Sequence, residues 1–422
     1  MVKPTSIEVP GDKSIGHRSL LLAALANGRS RLEGVPHSED VKSMAAALRV
    51  LGVEVSPVAQ NRVVTVAGVG FKGFSRPQSP VFCGNAGTAV RLLMGVAAGQ
   101  PFVTVLSGDD SLSKRPMRRV TKPLMAMGAQ IKELNGDGLP VEIHGGDLRE
   151  LRYESPVASA QVKSAILLAG LVGGVHVSVV EPYPSRDHTE RMLQFLGVPV
   201  RRGSAAEVAI DRSEGFEGFD AVVPGDPSSA AFLLGAAIIS GRRGVCVENV
   251  CLNEGRIGFV GCLKRMGAHI EFEQTGITLG EPIGQIRSRP SELTATEVWA
   301  DEIPSLIDEI PLLAVLACHA RGTTIFHDVG ELRWKESDRL NLLVENIRSV
   351  GGSAEIDGDD LIVHEMRRPA EGKVETAGDH RMAMAFATFF GVRNASVELS
   401  ETASPSISFP GFFGLLDSVI NS

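Results

Sequence analysis

A run rich in Leu and Ala that stops at glycine and turns into a short β-prone stretch recurs through the whole chain. One series reads ALANGRSRL at Gly28, GVAAGQPFVTV at Gly99, LAGLVGGVHVSVV at Gly174, AAIISGRRGVCV at Gly241, LACHARGTTIF at Gly322 and AFATFFGVRNASV at Gly391. A second falls between these marks, with LRVLGVEV at Gly52, LMAMGAQI at Gly128, MLQFLGVPV at Gly197, LKRMGAHI at Gly267 and IRSVGGSAEI near Gly351. The first series steps by 71, 75, 67, 81 and 69 residues, which makes six copies of one unit, each with two helix–glycine–strand passages. A helix commonly stops with a residue at positive φ, which costs glycine nothing sterically, and the chain can then reverse into a strand. Unrelated helix stops would not alternate in this order. A unit so small also has to take its core from its neighbours.

Two compact turns, Pro10-Gly11-Asp12 and Pro224-Gly225-Asp226-Pro227, divide the repeats three and three. The expected domains are a three-repeat half over 12–225 and a discontinuous half over 226–422. A first strand within 1–11 would complete the second half. Two crossings between the halves predict a hinge with a cleft.

Composition narrows the function classes. Hydrophobic residues make up 43% of 422, so a large core is available and wholesale disorder is excluded. The formal charge is -8, and only Phe 17, Trp 2 and Tyr 2 supply rings, which argues against a nucleic-acid surface or a base-stacking groove. Five cysteines at irregular spacing fit neither a disulfide framework nor a structural zinc site, and Cys83, Cys251 and Cys262 read as buried small hydrophobes. The start shows no secretory leader. The longest suspicious uncharged run, 17 residues between Lys163 and Glu181, is short for a span of about 20. A soluble cytoplasmic protein is expected.

Against this negative background, cations collect at turns and helix starts. In GDKSIGHRSLLLAALA, Ser14 can cap a helix whose first turns carry His17 and Arg18, with Lys13 just before it. Exposed amides and nearby cations there would seat a phosphate or carboxylate. GNAGTAVRLLMG lets a ligand approach the backbone at Gly84, Gly87 and Thr88. SLSKRPMRR places Lys114, Arg115, Arg118 and Arg119 around Pro116 at a helix entrance, with solvation enough to explain at least two of them. SPVASAQVKSAILLAG offers Ser159 and Gln161 to a phosphate or sugar-like ring, while Lys163 either supports them or faces water. PSRDHTERM adds Arg186.

Three later islands are sharper. IDEIPLLAVLACHA sets Asp308 and Glu309 before a hydrophobic helix, as caps or as proton-exchanging acids. ELRWKESDRL puts Lys335 and Arg339 four apart, hence on one face if helical, with Glu336 between them. GDHRMAMAFA sets Asp379, His380 and Arg381 before another helix. A cleft collecting Lys13, Arg18, Arg115, Arg186, Lys335, Arg339 and Arg381 would suit one or two strongly anionic small molecules. No HExxH, GxSxG, GxGxxG or Walker pattern competes, and Asp40, Asp187 and His188 do not suffice for a metal.

In order along the chain, GDKSIGHR, GNAGTAVR, SLSKRPM, SAQVKSA, SRDHTERM, GDPSSAAF, IDEIPLLA, ELRWKESDRL, GDHRMAMAF and SFPGFF resemble the EPSP synthase family of enolpyruvyl transferases over essentially the whole length. The resemblance implies an inside-out α/β barrel of two domains with three repeats each. It also implies transfer of the enolpyruvyl group of phosphoenolpyruvate to the 5-hydroxyl of shikimate 3-phosphate, in chorismate and aromatic amino-acid biosynthesis. On it, Lys13, Gly87, Arg115, Arg339 and Arg381 would hold phosphoenolpyruvate. Ser14, Arg18, Ser159, Gln161, Arg186, Asp308 and Lys335 would orient shikimate 3-phosphate, with Asp308, Glu336 and Lys13 handling protons. No cofactor or metal is implied, a monomer is expected, and glyphosate would compete for the phosphoenolpyruvate place.

The chain departs from the family at three points: Ile407 stands where a lysine is common, Ala160 replaces a frequent serine, and Leu92 follows Arg91 where proline is common. UDP-N-acetylglucosamine enolpyruvyl transferases share the chemistry but commonly carry a reactive loop cysteine, which SLSKRPM lacks. An inactive anion sensor would keep the cations and use Asp308 and Glu336 only to cap or pair.

Overall fold

The computed structural model describes residues 4–203, 206–240 and 243–421, and Gly241 of the first glycine series lies outside them. The chain divides into two compact units: residues 11–223 with 277–281, and residues 4–10 with 224–276 and 282–421.

The first unit uses one pattern three times. The helices are α1 Lys13–Leu25, α2 Glu39–Val50, α3 Gly87–Ala98, α4 Arg118–Ala126, α5 Ala160–Gly173 and α6 His188–Phe195. They alternate in character. From Ile15 to Leu25 every residue of α1 is buried, as is nearly all of α3 and every residue of α5 from Val162 to Val172. A helix apolar all round belongs in a core. By contrast, α2, α4 and α6 bury one stripe and show the other to solvent. Each pair of helices comes with a four-stranded sheet of the same design. Asn27–Glu33 lies parallel to Asp220–Val222 and antiparallel to Val64–Val69, which pairs onward with Glu54–Val55. Val103–Ser107 and Val177–Val180 hold the corresponding central places in the other two sheets.

The second unit has helices α7 Pro227–Ser240, α8 Gly258–Arg265, α9 Ile303–Leu306, α10 Ile310–Ala317, α11 Arg339–Ser349, α12 His380–Ala387 and α13 Phe412–Ile420. Here α10 and α12 are wholly buried, α7 nearly so, and α8, α11 and α13 are half-buried. Two four-stranded sheets repeat the design, centred on Val245–Cys251 and Thr323–Phe326. The last repeat is reduced: among the described residues, Glu371–Val374 and Ser396–Leu399 form only a parallel pair.

The glycine argument holds for only one of the two series. Gly52, Gly128, Gly197, Gly267 and Gly351 follow the half-buried helices at φ between 80° and 107°. Among the described glycines of the first series, only Gly174 caps its helix in the left-handed conformation, at φ 67°. Gly99 caps α3 at φ -91°, Gly28 lies inside a strand, and Gly391 ends a 3-10 turn. Gly28 and Gly322 have positive φ, but in or beside strands rather than at a helix stop. After a buried helix the chain is steered by the packing around it, so the exit is not restricted to one conformation.

Small residues let buried helices touch. A Cβ built on Gly95 of α3 would lie 2.2 Å from the carbonyl oxygen of Ala165 and 2.9 Å from its Cα, so α3 and α5 meet backbone to side. Gly95→Ala should therefore lower stability by about 1–3 kcal/mol through overpacking. Gly261→Ala, in α8 with nothing within 4 Å of the new methyl, should instead gain about 0.5–1 kcal/mol. Urea midpoints of the two variants check the contrast, and equal effects would remove the packing argument.

Candidate active site

In the second unit, charged residues from three segments meet. Asp308, just before α10, lies 3.5 Å from the Lys335 ammonium and 3.7 Å from the Arg339 guanidinium. Arg381 donates to the Asp308 carbonyl at 3.0 Å, and its Nη2 lies 3.8 Å from the Asp308 carboxylate. Glu336 accepts from Arg339. Arg339 is fully enclosed, at 0% exposure, and gives Asp379 a two-point grip, Nε to Oδ2 at 2.8 Å and Nη2 to Oδ1 at 3.2 Å.

Burial alone would discharge Arg339, but Asp379 and Glu336 outweigh it and hold its pKa above the usual guanidinium value. Burial would likewise raise Asp379, whose carboxyl is nevertheless held below the ordinary carboxylate range by Arg339. Asp379 also caps α12 by accepting from the Arg381 amide at 2.9 Å, so one carboxylate sets both arginines.

Lys335 and Arg339 do not share a helical face, contrary to expectation. Lys335 ends a 3-10 turn in extended conformation, Asp338 caps α11, and Arg339 is its first residue. They converge through the bend, not through helical spacing. Glu309 is buried and accepts from Ser228 Oγ.

In the first unit the cap of α1 is Asp12, which accepts from the Ile15 amide at 2.8 Å; Ser14 is already inside the helix. Lys13, its first residue, pairs with Asp40 at 2.8 Å. Arg18 is buried, with Nε donating to Thr189 Oγ1 at 2.7 Å, Nη2 to Ser164 Oγ at 3.0 Å and Nη1 to the Ser14 carbonyl at 3.1 Å. Burial pushes its pKa down to about 10; Glu190, Asp12 and Glu281 offset this, and Arg186 adds to it. It stays charged at neutral pH, yet an arriving anion would relieve that cost.

Ser159 caps α5 through the Val162 amide at 3.5 Å. Gln161 accepts from Arg91 at 2.6 Å and donates to Thr88 at 3.0 Å, and Arg115 donates to Asn85 at 2.6 Å. Gly87 opens α3, and a methyl there would stand 3.1 Å from Arg91 Nη1 and 3.2 Å from Arg115 Nη1. Pro116 precedes α4, while Lys114 and Arg118 face solvent.

Sequence reasoning missed Asp379 as the anchor of Arg339 and Thr189 and Ser164 as partners of Arg18. Nothing local marks a residue whose partner lies 40 to 171 positions away. Cys83 is buried, with its thiol pushed up to about 12, and Cys251 and Cys262 are also buried. Among the described residues no group of His, Cys, Asp and Glu could hold a metal ion, and no helix is long and apolar enough to cross a membrane.

Cations at the starts of helices, several with an acid in reach, are fittings suited to an enzyme that handles small anionic molecules. The sequence model of one family, EPSP synthase (3-phosphoshikimate 1-carboxyvinyltransferase), matches residues 4–416. A 3-phosphoshikimate 1-carboxyvinyltransferase of Shouchella clausii is 43% identical over 98% of this chain and 96% of its own. One from Xanthomonas campestris is 44% identical over 97% and 93%. Among solved structures, EPSP synthase from Acinetobacter baumannii superposes with a TM-score of 0.86 at 38% identity, covering 99% of this chain and 95% of that one. An enolpyruvyl transferase from Streptomyces tendae, at 16% identity and TM-score 0.76 over 99% and 95%, shares the fold. The chain belongs to the EPSP synthase family.

His17 supplies a test of the first unit. It is fully buried, with neither ring nitrogen hydrogen-bonded among the described residues, and burial lowers its pKa from 6.5 to about 3. Between those values the unfolded chain takes up a proton that the folded one refuses. The stability present above pH 6.5 is therefore lost as pH falls through this window, at about 1.4 kcal/mol per unit. Urea unfolding of His17→Leu at neutral pH and near pH 4.5 should show a flatter acid limb than wild type. Superimposable profiles would mean that His17 does not resist protonation.

Proposed function

We propose that the charged groups of the two units are the substrate seats of the family's reaction, and that each unit is one domain of the inside-out α/β barrel plan. The domains would be 12–225 and the discontinuous 226–422 with 1–11. As a 3-phosphoshikimate 1-carboxyvinyltransferase, the chain transfers the enolpyruvyl group of phosphoenolpyruvate to the 5-hydroxyl of shikimate 3-phosphate and releases inorganic phosphate. Lys13, Gly87, Arg115, Arg339 and Arg381 hold phosphoenolpyruvate. Ser14, Arg18, Ser159, Gln161, Arg186, Asp308 and Lys335 hold shikimate 3-phosphate. Glyphosate would compete at the first place, and the working form would be a cytoplasmic monomer.

The carrying observation is the meeting of Asp308, Lys335, Glu336, Arg339 and Arg381 in one unit. Two phosphates and two carboxylates repel one another in water, and fixed cations remove that barrier while holding the reactants in register. Asp308 takes the proton of the 5-hydroxyl as its oxygen attacks C2 of phosphoenolpyruvate. The C2–C3 π electrons meanwhile take a proton at the methylene carbon, with Glu336 as donor. In the second half, Glu336 removes a methyl proton from the tetrahedral ketal phosphate. The double bond reforms as the C2–O bond to phosphate breaks, with Lys13 stabilising the leaving phosphate, which takes up the proton Asp308 received from the 5-hydroxyl. Proton transfer by a placed side chain is worth about 10²–10⁴-fold.

Phosphate should appear only when both substrates are present, in step with the enolpyruvyl ether seen by mass. Asp308→Ala and Glu336→Ala should each cut kcat by about 10²-fold or more. Folded wild-type protein that binds both substrates and yields no ether would leave an anion-binding relative as the better account.

A further inference from the structure

The first unit contains a buried charge cluster that the chemistry above does not use. Lys163 of α5 sits at 5% side-chain exposure between Glu181 at 1% and Glu190 at 2%, with its ammonium 2.8 Å from the first and 2.9 Å from the second. It also donates to the Ser185 carbonyl at 3.3 Å. An ammonium has three donors, and these three acceptors use them all. Of the two readings the sequence left open for Lys163, facing water is therefore excluded. Glu181 in turn accepts the Ser159 amide at 2.7 Å and the Ser185 hydroxyl at 2.7 and 2.8 Å.

The cluster thus ties together three stretches of chain. Ser159 caps α5, Ser185 precedes Arg186, and Glu190 lies in α6 beside Thr189, the partner of Arg18. Ser164, next to Lys163, closes the loop by bonding both Arg18 and Thr189, at 3.0 and 2.7 Å. Every residue that this unit offers to a phosphate through Ser159, Arg18 or Arg186 is held, directly or through one neighbour, by Lys163 and its two acids.

We infer that Lys163, Glu181 and Glu190 form a positioning clamp that sets Ser159, Arg18 and Arg186 for the phosphate of shikimate 3-phosphate, without touching the substrate. The inference rests on the substrate reading given above. Burial would lower the Lys163 pKa, but Glu190 and Glu181 outweigh it and hold it above its ordinary value, so the Lys163 ammonium stays charged at neutral pH. Removing one partner of a buried ion group leaves an uncompensated charge, so the geometry is held stiffly.

The test is steady-state kinetics and shikimate 3-phosphate binding for wild type, Lys163→Met and Glu181→Gln, each checked for folding by thermal denaturation. In Lys163→Met the KM for shikimate 3-phosphate should rise at least about 10-fold, with kcat and the KM for phosphoenolpyruvate within about 3-fold. Unphosphorylated shikimate, used as a competing ligand, should bind both proteins equally. Glu181→Gln makes the cluster more positive, which by charge alone would improve phosphate binding. The clamp instead predicts a KM raised about 5-fold or more, and this variant decides if Lys163→Met fails to fold. An unchanged or lowered KM in folded variants overturns the clamp alone, as does a fall in kcat with KM unmoved. Wild-type protein with no saturable dependence on shikimate 3-phosphate overturns the substrate reading and the clamp with it.

Discussion

Charge set into the first turns of helices is the constraint on which the rest of this structure depends. A buried charge without a partner costs several kcal/mol, and breaking such a pair about 3–5 kcal/mol. Each cation brought inside must therefore come with its own counter-group: Asp379 for Arg339, Asp40 for Lys13, Glu181 and Glu190 for Lys163. Arg18 is the exception in kind, since among the described residues its direct partners are the neutral oxygens of Thr189, Ser164 and Ser14. That imbalance is tolerable in a protein whose ligand is itself an anion.

Alternation of buried and half-buried helices explains why part of the fold was legible. The half-buried helices end at the surface, where one conformation, with glycine at positive φ, is the simple way to stop, and their five glycines all obey it. The buried helices end inside packed surroundings, so Gly99 and Gly391 mark the right places for a different reason. The period was readable from either series. The two-stranded sheet of the last repeat among the described residues was not, because the glycine series marks helix exits and not how many strands follow.

The site was legible where a residue sits in a dense local motif, and illegible where its role comes from a distant partner. Asp308, Glu336, Arg339 and Arg381 stand out in their islands, and they do meet. The helical spacing of Lys335 and Arg339 was a misleading reason for a correct pairing, since Asp338 starts the helix only after Lys335. Ser14 lost the capping role to Asp12 because an extended residue two places earlier already aimed its carboxylate at the Ile15 amide. Lys163 was ambiguous because both its acids lie beyond the strand Val177–Val180, 18 and 27 residues on.

On the proposed mechanism the two acids beside the cationic seats move protons in an addition followed by an elimination. Turnover in D2O with mass analysis of the product addresses it directly. Protonation of the methylene carbon and later loss of one methyl hydrogen predict deuterium in the enolpyruvyl methylene group of the ether. An ether formed at full rate with no deuterium at that carbon would contradict the account, because the group would then have been transferred without passing through a methyl.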